Sequence, residues 1–332
     1  MLTLFNRSTQ EFSIVSKQAK YNIPMKNIYF PLVYIHKVKR VNQNYIVDLI
    51  LLDDFPLFVL AFSWVSSLPI LNAIGIFCLM LSFWCIYEYG YYENDLVAEK
   101  YEQKPVLSHT YYKRLITIQW WQSWIWSLVI GLLGVYCIVV SDIVTLDISF
   151  SFPEITTSLV LRWNTIDESY RDFVNLFSKA FYKWFCFLLV SRCGFFVYNY
   201  VNKPTRIWLY PLLQSFRYCG ILTVAATNIV GACIIMSYVL ARSTTYIVYR
   251  YSGGNPNDWP KLQDWFLRLI FFCLFICAFS IVESKPSLIF NWQTVVLVGW
   301  WLKKCRRQAM EILQNIKPIW DEEVEDLAIN DR

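Results

Sequence analysis

Charge is scarce in this sequence. Asp, Glu, Lys and Arg make up 17% of its 332 residues, against about 25% in ordinary soluble domains. Histidine is scarcer still: only His36 and His109 occur, so zinc sites of the HExxH kind and two-histidine relays have no material. No GxSxG, P-loop or GxGxxG spacing is found, and Gly253-Gly254 before Asn255-Pro256-Asn257 reads as a turn. The ten cysteines include no CxxC pair and fall mostly inside apolar blocks, where they act as small hydrophobes rather than as a disulfide framework. The formal charge of +5 sits in short clusters between apolar blocks, which speaks against a nucleic-acid partner. Residues 1–39 contain no long apolar run before a small-residue cleavage site, so no removable signal peptide is expected.

What the chain has in abundance is apolar and aromatic side chains, at 56% and 18%, with a mean hydropathy of +0.37. They gather into blocks near the length of about twenty residues that a helix needs to cross a bilayer. Such blocks lie at 46–67, 69–91, 119–140, 177–197, 219–241, 265–282 and 287–302. The expected fold is therefore all-α, a polytopic membrane helical bundle, embedded in a lipid bilayer. Residues 1–45 form an N-terminal segment, 46–302 the transmembrane domain and 303–332 a polar tail. The stretch 141–175 is apolar in its middle but broken by Pro153 and Glu154, and reads as an interfacial segment or a short helix pair.

Lys and Arg in short loops set orientation. They cluster in 1–45, in the loop after the second block (Lys100, Lys104, Lys113, Arg114) and in the loop after the fourth (Lys203, Arg206, Arg217, with Arg192 before them). All three are expected on the cytoplasmic side, and the acid-rich 141–175 opposite. Seven spans then strand Lys303, Lys304, Arg306 and Arg307 on the wrong side, unless the last span is re-entrant or one helix is uncounted. Trp120, Trp121, Trp124 and Trp126, and Trp300 with Trp301, sit where interfacial aromatics anchor helix ends.

Polar residues concentrate in two of these loops. The first runs from Glu88 through Tyr91, Glu93, Asn94, Asp95, Glu99 and Glu102 to Pro105. If the preceding helix continues, Asp95, Ala98, Glu99 and Glu102 share one face. Carboxylates so placed suit a Mg²⁺ ion held against a phosphate; equally, Glu99 and Glu102 can simply balance Lys100 and Lys104 on a solvated helix end.

Asn94-Asp95, followed by Ala98 and Glu102, resembles the first aspartate-rich motif, N-D-x-x-D-x-x-x-D, of the UbiA superfamily of intramembrane prenyltransferases. Ala98 replaces one family aspartate, with Glu99 as a possible substitute, and Glu102 replaces another. The second motif, Y-D-x-x-D-x-x-x-D, aligns with Tyr198, Asn199, Asn202 and Arg206, which keep the spacing and lose the charge. The resemblance implies a UbiA-like bundle of about seven to nine transmembrane helices, with both motif loops cytoplasmic. It implies a transferase acting on a polyprenyl phosphate or diphosphate, with an unknown acceptor. Asp95, Glu102 and Arg206 would be catalytic. Asp95, Glu99 and Glu102 would hold metal, one Mg²⁺ at most. Asn94, Tyr91, Tyr198, Asn199, Asn202 and Lys203 would bind substrate. The alternatives are a non-catalytic lipid-phosphate binder on the same scaffold, or a transporter built on the intramembrane charges Asp53, Asp54 and Arg268. Of Asp53 and Asp54, adjacent on a helix, one at most is expected to face the interior.

Overall fold

Apolar runs longer than a bilayer is thick dictate the architecture. In the computed structural model, which describes residues 29–41, 44–103, 105, 107–113, 116–143, 166–252 and 263–315, these runs form helices, and no strand occurs among the described residues. The expectations placed on residues 1–28, on Pro153 and Glu154, on Gly253-Gly254 and on the acidic tail lie outside them. The α-helices are α1 (Phe55–Phe62), α2 (Pro69–Tyr101), α3 (His109–Tyr112), α4 (Trp120–Ile143), α5 (Ile166–Tyr200), α6 (Lys203–Cys219), α7 (Ile229–Ser252), α8 (Asp264–Val282) and α9 (Trp292–Asn315). A π-helical stretch, Ile46–Asp54, leads directly into α1.

Five of these helices are long and apolar enough to cross a membrane: Pro69–Tyr101, Trp120–Asp142, Asp172–Tyr200, Ile229–Tyr251 and Asp264–Val282. The protein is thus an all-α, multi-pass membrane bundle. Several boundaries differ from the sequence expectation, among them the start of α5 at Ile166 rather than 177 and the extent of α9, Trp292–Asn315 rather than 287–302. Helix α2 runs to Tyr101 rather than to 91; its 33 residues span about 50 Å against a hydrocarbon core of about 30 Å, so its last turns project beyond the core. The block expected at 219–241 begins with a 3-10 turn, Gly220–Thr223, and its helix starts only at Ile229.

Sequence reading misses α6 altogether. Its residues were expected in a loop, but they form a helix that starts beside the end of α2, where Lys203 pairs with Glu102, and runs into the bundle, where Arg217 pairs with Asp54. The chain continues to the far end, where Asn228 donates to Gln293 at 2.8 Å. Helix α6 buries Leu213, Gln214, Arg217 and Tyr218 and exposes Trp208 and Leu212; its mixed composition hides it from hydropathy. Helix α7 returns, α8 leaves again, and α9 comes back, so that Gln308 of α9 accepts from the Phe266 amide at the start of α8. Lys303, Lys304, Arg306 and Arg307 thus lie at the same end of the bundle as the α2 C-terminus and Lys39.

Helices α2 and α4 pack through small residues, which let backbones approach closely where lipid offers no hydrophobic drive between helices. A Cβ built on Gly134 would lie 2.9 Å from the Leu79 backbone nitrogen, and one on Gly75 3.0 Å from the Gly134 carbonyl oxygen. Hydroxyls pin the crossing: Ser82 donates to the Ser127 carbonyl at 2.7 Å and accepts from Trp184 Nε1 at 3.0 Å, while Asn72 donates to Ser141 Oγ at 3.2 Å. Gly134→Val should therefore lower stability by about 1–3 kcal/mol through overpacking, read as a lower Tm in detergent. Gly299→Ala in α9, where an added Cβ meets nothing within 4 Å, should leave Tm unchanged or raise it, because alanine is the better helix former.

Candidate functional site

The projecting end of α2 carries the acids of the first loop, and each meets a different protein partner. Glu88, fully buried, accepts from the Tyr29 hydroxyl at 2.6 Å and from the Leu32 and Ile35 amides at 2.7 and 2.9 Å. This carboxylate holds the N-terminal segment in a tight turn, and Leu32 takes φ 69° there, a conformation costly for a branched side chain and sustained by the contacts around it. Asp95, 2% exposed, accepts from Tyr34 at 2.7 Å and pairs with Lys39 at 2.5 Å. Burial, and then the Asp95 charge, push the Tyr34 hydroxyl far above its usual pKa, so it remains a proton donor. Glu99 is exposed and accepts from Tyr111 at 2.7 Å; burial and this carboxylate raise the Tyr111 hydroxyl as well.

Asp95, Glu99 and Glu102 consequently do not converge. Helix α2 ends at Tyr101, and Glu102, its C-cap with φ and ψ of −91° and 132°, pairs with Lys203 and Arg206, whereas Asp95 and Glu99 meet Tyr34, Lys39 and Tyr111. Among the described residues no three His, Cys, Asp or Glu side chains lie close enough to hold a metal ion. The three residues expected to ligate Mg²⁺ each engage partners of the chain instead: Tyr34 and Lys39 at Asp95, Tyr111 at Glu99, Lys203 and Arg206 at Glu102.

The two loops do come together. Glu93 receives a bidentate pair from Arg192 at 2.7 and 2.9 Å and the Asn199 amide at 2.9 Å. Asn199 also donates to the Gly90 carbonyl at 3.0 Å, which leaves its buried Oδ1 without a partner. Gly90 permits this approach: a Cβ there would lie 2.8 Å from the Phe195 ring. Glu102 pairs with Arg206 at 2.8 Å and Lys203 at 3.0 Å. Arg206 further donates to the Tyr198, Val201 and Asn199 carbonyls at 3.1, 3.1 and 2.9 Å, satisfying the open C-terminus of α5 as a basic residue does best. Asn202 caps α6, accepting from the Thr205 amide at 3.0 Å. Glu102, Asn199, Asn202, Lys203 and Arg206 line one groove of about 780 Å³ with Val97, Tyr101 and Tyr200.

Of the other sequence candidates, Tyr198 shares a hydroxyl contact of 3.3 Å with Tyr246 and lies under the Arg206 guanidinium at 5.8 Å. Tyr91 packs edge-on against Tyr87 at 4.9 Å, with Lys39 5.9 Å above its ring. Asn94 has its Oδ1 buried and unpartnered. Sequence reading missed Glu88, Glu93, Tyr34 and Lys39 as organising groups. Arg192 carried the usable signal, the one charge between Lys183 and Lys203.

Deeper in the bundle, both Asp53 and Asp54 are buried, at 2% and 1% exposure, against the expectation that one at most would face inward. Their partners come from different helices. Asp54 pairs with Arg217 and accepts from Tyr218 at 3.2 Å. Asp53 pairs with Arg268 at 2.8 Å and Arg242 at 3.2 Å, and Asp264 pairs with the same two arginines. Asp53, Arg268, Asp264 and Arg242 form a closed ring of alternating sign that ties the π-helical stretch to α7 and α8. Arg268 is sandwiched 3.8 Å from the Tyr238 ring centre and 4.1 Å from that of Trp265. The fold and this polar interior define an all-α integral membrane protein whose loop groups meet at one end of the bundle. Comparison with protein-family models, curated proteins and solved structures yields no match to the chain.

Two predictions follow from these pairs. Partial burial alone would raise the Glu102 carboxyl, but the hydrogen bonds and charges of Lys203 and Arg206 outweigh it and hold the group below its ordinary value of 4.5. Its stabilisation is complete above pH 4.5 and is lost as pH falls through the lower folded value, since the unfolded chain takes up the proton first. Glu102→Gln should accordingly show a flatter acid limb in a Tm against pH profile than the wild type. Asp54→Leu should cost about 3–5 kcal/mol by leaving Arg217 charged and unpaired, and Asp54→Leu with Arg217→Met should recover much of the loss. Detergent melting curves of both variants check this.

Proposed function

We propose that the chain is a membrane-embedded transferase resembling the UbiA prenyltransferases, acting on a polyprenyl phosphate or diphosphate, with the phosphate met by basic and amide groups rather than by carboxylate-held Mg²⁺. The observation that carries the reading is the meeting of the two resembling loops in one groove, where Lys203, Arg206, Asn199 and Asn202 gather at the start of α6. Lys203, paired with Glu102 at 3.0 Å, is half exposed in the groove lining, the helix start adds its dipole, and the apolar helices beside it offer room for a prenyl tail. Counting α6, α9 and the stretch from Ile46 through α1 with the five apolar helices gives the proposed bundle eight spans, with both loops and both chain ends on the cytoplasmic side by the positive-inside rule.

The chemistry required is departure of a phosphate or diphosphate from an allylic carbon. Cationic donors already fixed in place lower its cost because they need no reorganisation as charge develops on the leaving oxygen. Tyr198 and Tyr91 would present ring faces to the carbocation. A second reading, a non-catalytic lipid-phosphate binder, is favoured by one specific observation: Glu93, Asp95 and Glu102 are each already neutralised by a base of the same chain.

Binding of a labelled long-chain prenyl diphosphate to the purified protein, with Mg²⁺ and with chelator, tests the proposal. Binding is expected to survive chelator, to fall about ten-fold in Lys203→Ala, consistent with loss of one charge-assisted contact, and to change little in Asp95→Asn. Transfer of label to a membrane-extracted acceptor separates the transferase from the binder. Absence of binding under both conditions removes both readings, and Mg²⁺-dependent binding lost in Asp95→Asn overturns the metal-independent form.

A further inference from the structure

The outward face of α9 changes character abruptly. Its inward stripe, Gln293, Thr294, Leu297, Trp301 and Cys305, is buried throughout. On the outside, Val295, Val296 and Leu302 are 48%, 45% and 52% exposed, an apolar surface of the kind that faces acyl chains. From the next residue the exposed positions are Lys303, Lys304, Arg306 and Arg307. Among the described residues no ion pair engages any of the four.

The depth of these bases is fixed by a second helix. Gln308 accepts from the Phe266 amide at 3.2 Å, Gln263 donates to Glu311 at 3.3 Å, and Lys304 lies 5.2 Å over the Trp265 ring and 5.9 Å over that of Trp300. The bases are therefore level with the first turn of α8, where one of the membrane-crossing helices begins and where interfacial tryptophans settle. Five residues beyond Leu302 rise about 8 Å, which matches the roughly 5–8 Å headgroup layer on each side of the hydrocarbon core. All four charges lie in that layer, directly above lipid-facing apolar surface.

We propose that Lys303, Lys304, Arg306 and Arg307 form a binding surface for the phosphate groups of anionic phospholipids, held at headgroup depth by the packing of α9 on α8. Continuity with the acyl-facing strip of Val295, Val296 and Leu302 selects a lipid over a soluble anion. Guanidinium groups at 306 and 307 suit phosphate through paired N–H donors, and the Trp-shielded Lys304 adds a charge whose position is set.

The full chain is reconstituted in nanodiscs that mix phosphatidylcholine with a minor fraction of phosphatidylglycerol, and the anionic lipid retained after exchange is measured by native mass spectrometry. The wild type is expected to enrich phosphatidylglycerol, and Lys303→Gln/Arg306→Gln/Arg307→Gln to lose about five-fold of that preference for each charge removed at most. Arg306→Lys/Arg307→Lys should retain most of it, and about 0.5 M NaCl should weaken it in the wild type. A neutral variant that melts like the wild type in pure phosphatidylcholine yet keeps full enrichment overturns the proposal. Salt-insensitive wild-type enrichment does so without any variant. Equal stabilisation of the wild type by inorganic phosphate in phosphatidylcholine discs overturns the choice of a lipid.

Discussion

A charge taken into a membrane helix bundle must be paired, because neither lipid nor packed side chains can solvate it. The closed ring of Asp53, Arg268, Asp264 and Arg242, with Asp54 and Arg217 beside it, meets that requirement across the π-helical stretch, α6, α7 and α8. Each pair specifies which helix lies next to which, and at what height. Apolar contacts alone tolerate sliding; a buried carboxylate and a guanidinium do not. The register so imposed brings the start of α6 to the end of α2, and hence Lys203 and Arg206 to Glu102.

The same rule of pairing governs the polar end. Glu93 and Asp95 stand on α2 and Glu102 follows its last residue, but Arg192, Lys39 and the Lys203–Arg206 pair reach them from three separate parts of the chain. A cluster of acids that looks like a ligand set along the sequence thereby becomes a set of docking points. What the groove keeps toward solvent is the half-exposed Lys203 beside the start of α6.

The class of fold was legible in the sequence, because runs such as 69–91 and 119–140 have one physical explanation. The two polar loops were also found, and Glu102, Asn199, Asn202, Lys203 and Arg206 from them line one groove, while Asp95 and Glu99 meet partners elsewhere. What escaped was anything that depended on a partner far along the chain. Arg217 looked like a loop base because its neutralising Asp54 lies 163 residues away. Glu102 looked like a neighbour of Asp95 because spacing does not show that α2 ends at Tyr101. Lys39 carried no signal at all, since a single lysine in a polar segment is ordinary until its carboxylate is known.

Helix α6 has a consequence for how the protein is made. A segment containing Lys203, Arg206, Gln214 and Arg217 lacks the hydropathy to leave a translocation channel by itself. It has to partition together with its neighbours, α5 before it and α7 after it, with Arg217 shielded by an aspartate synthesised long before. Asp53 and Asp54 are made early and find their arginines only on α6, α7 and α8, so both buried charges are matched only after those helices exist.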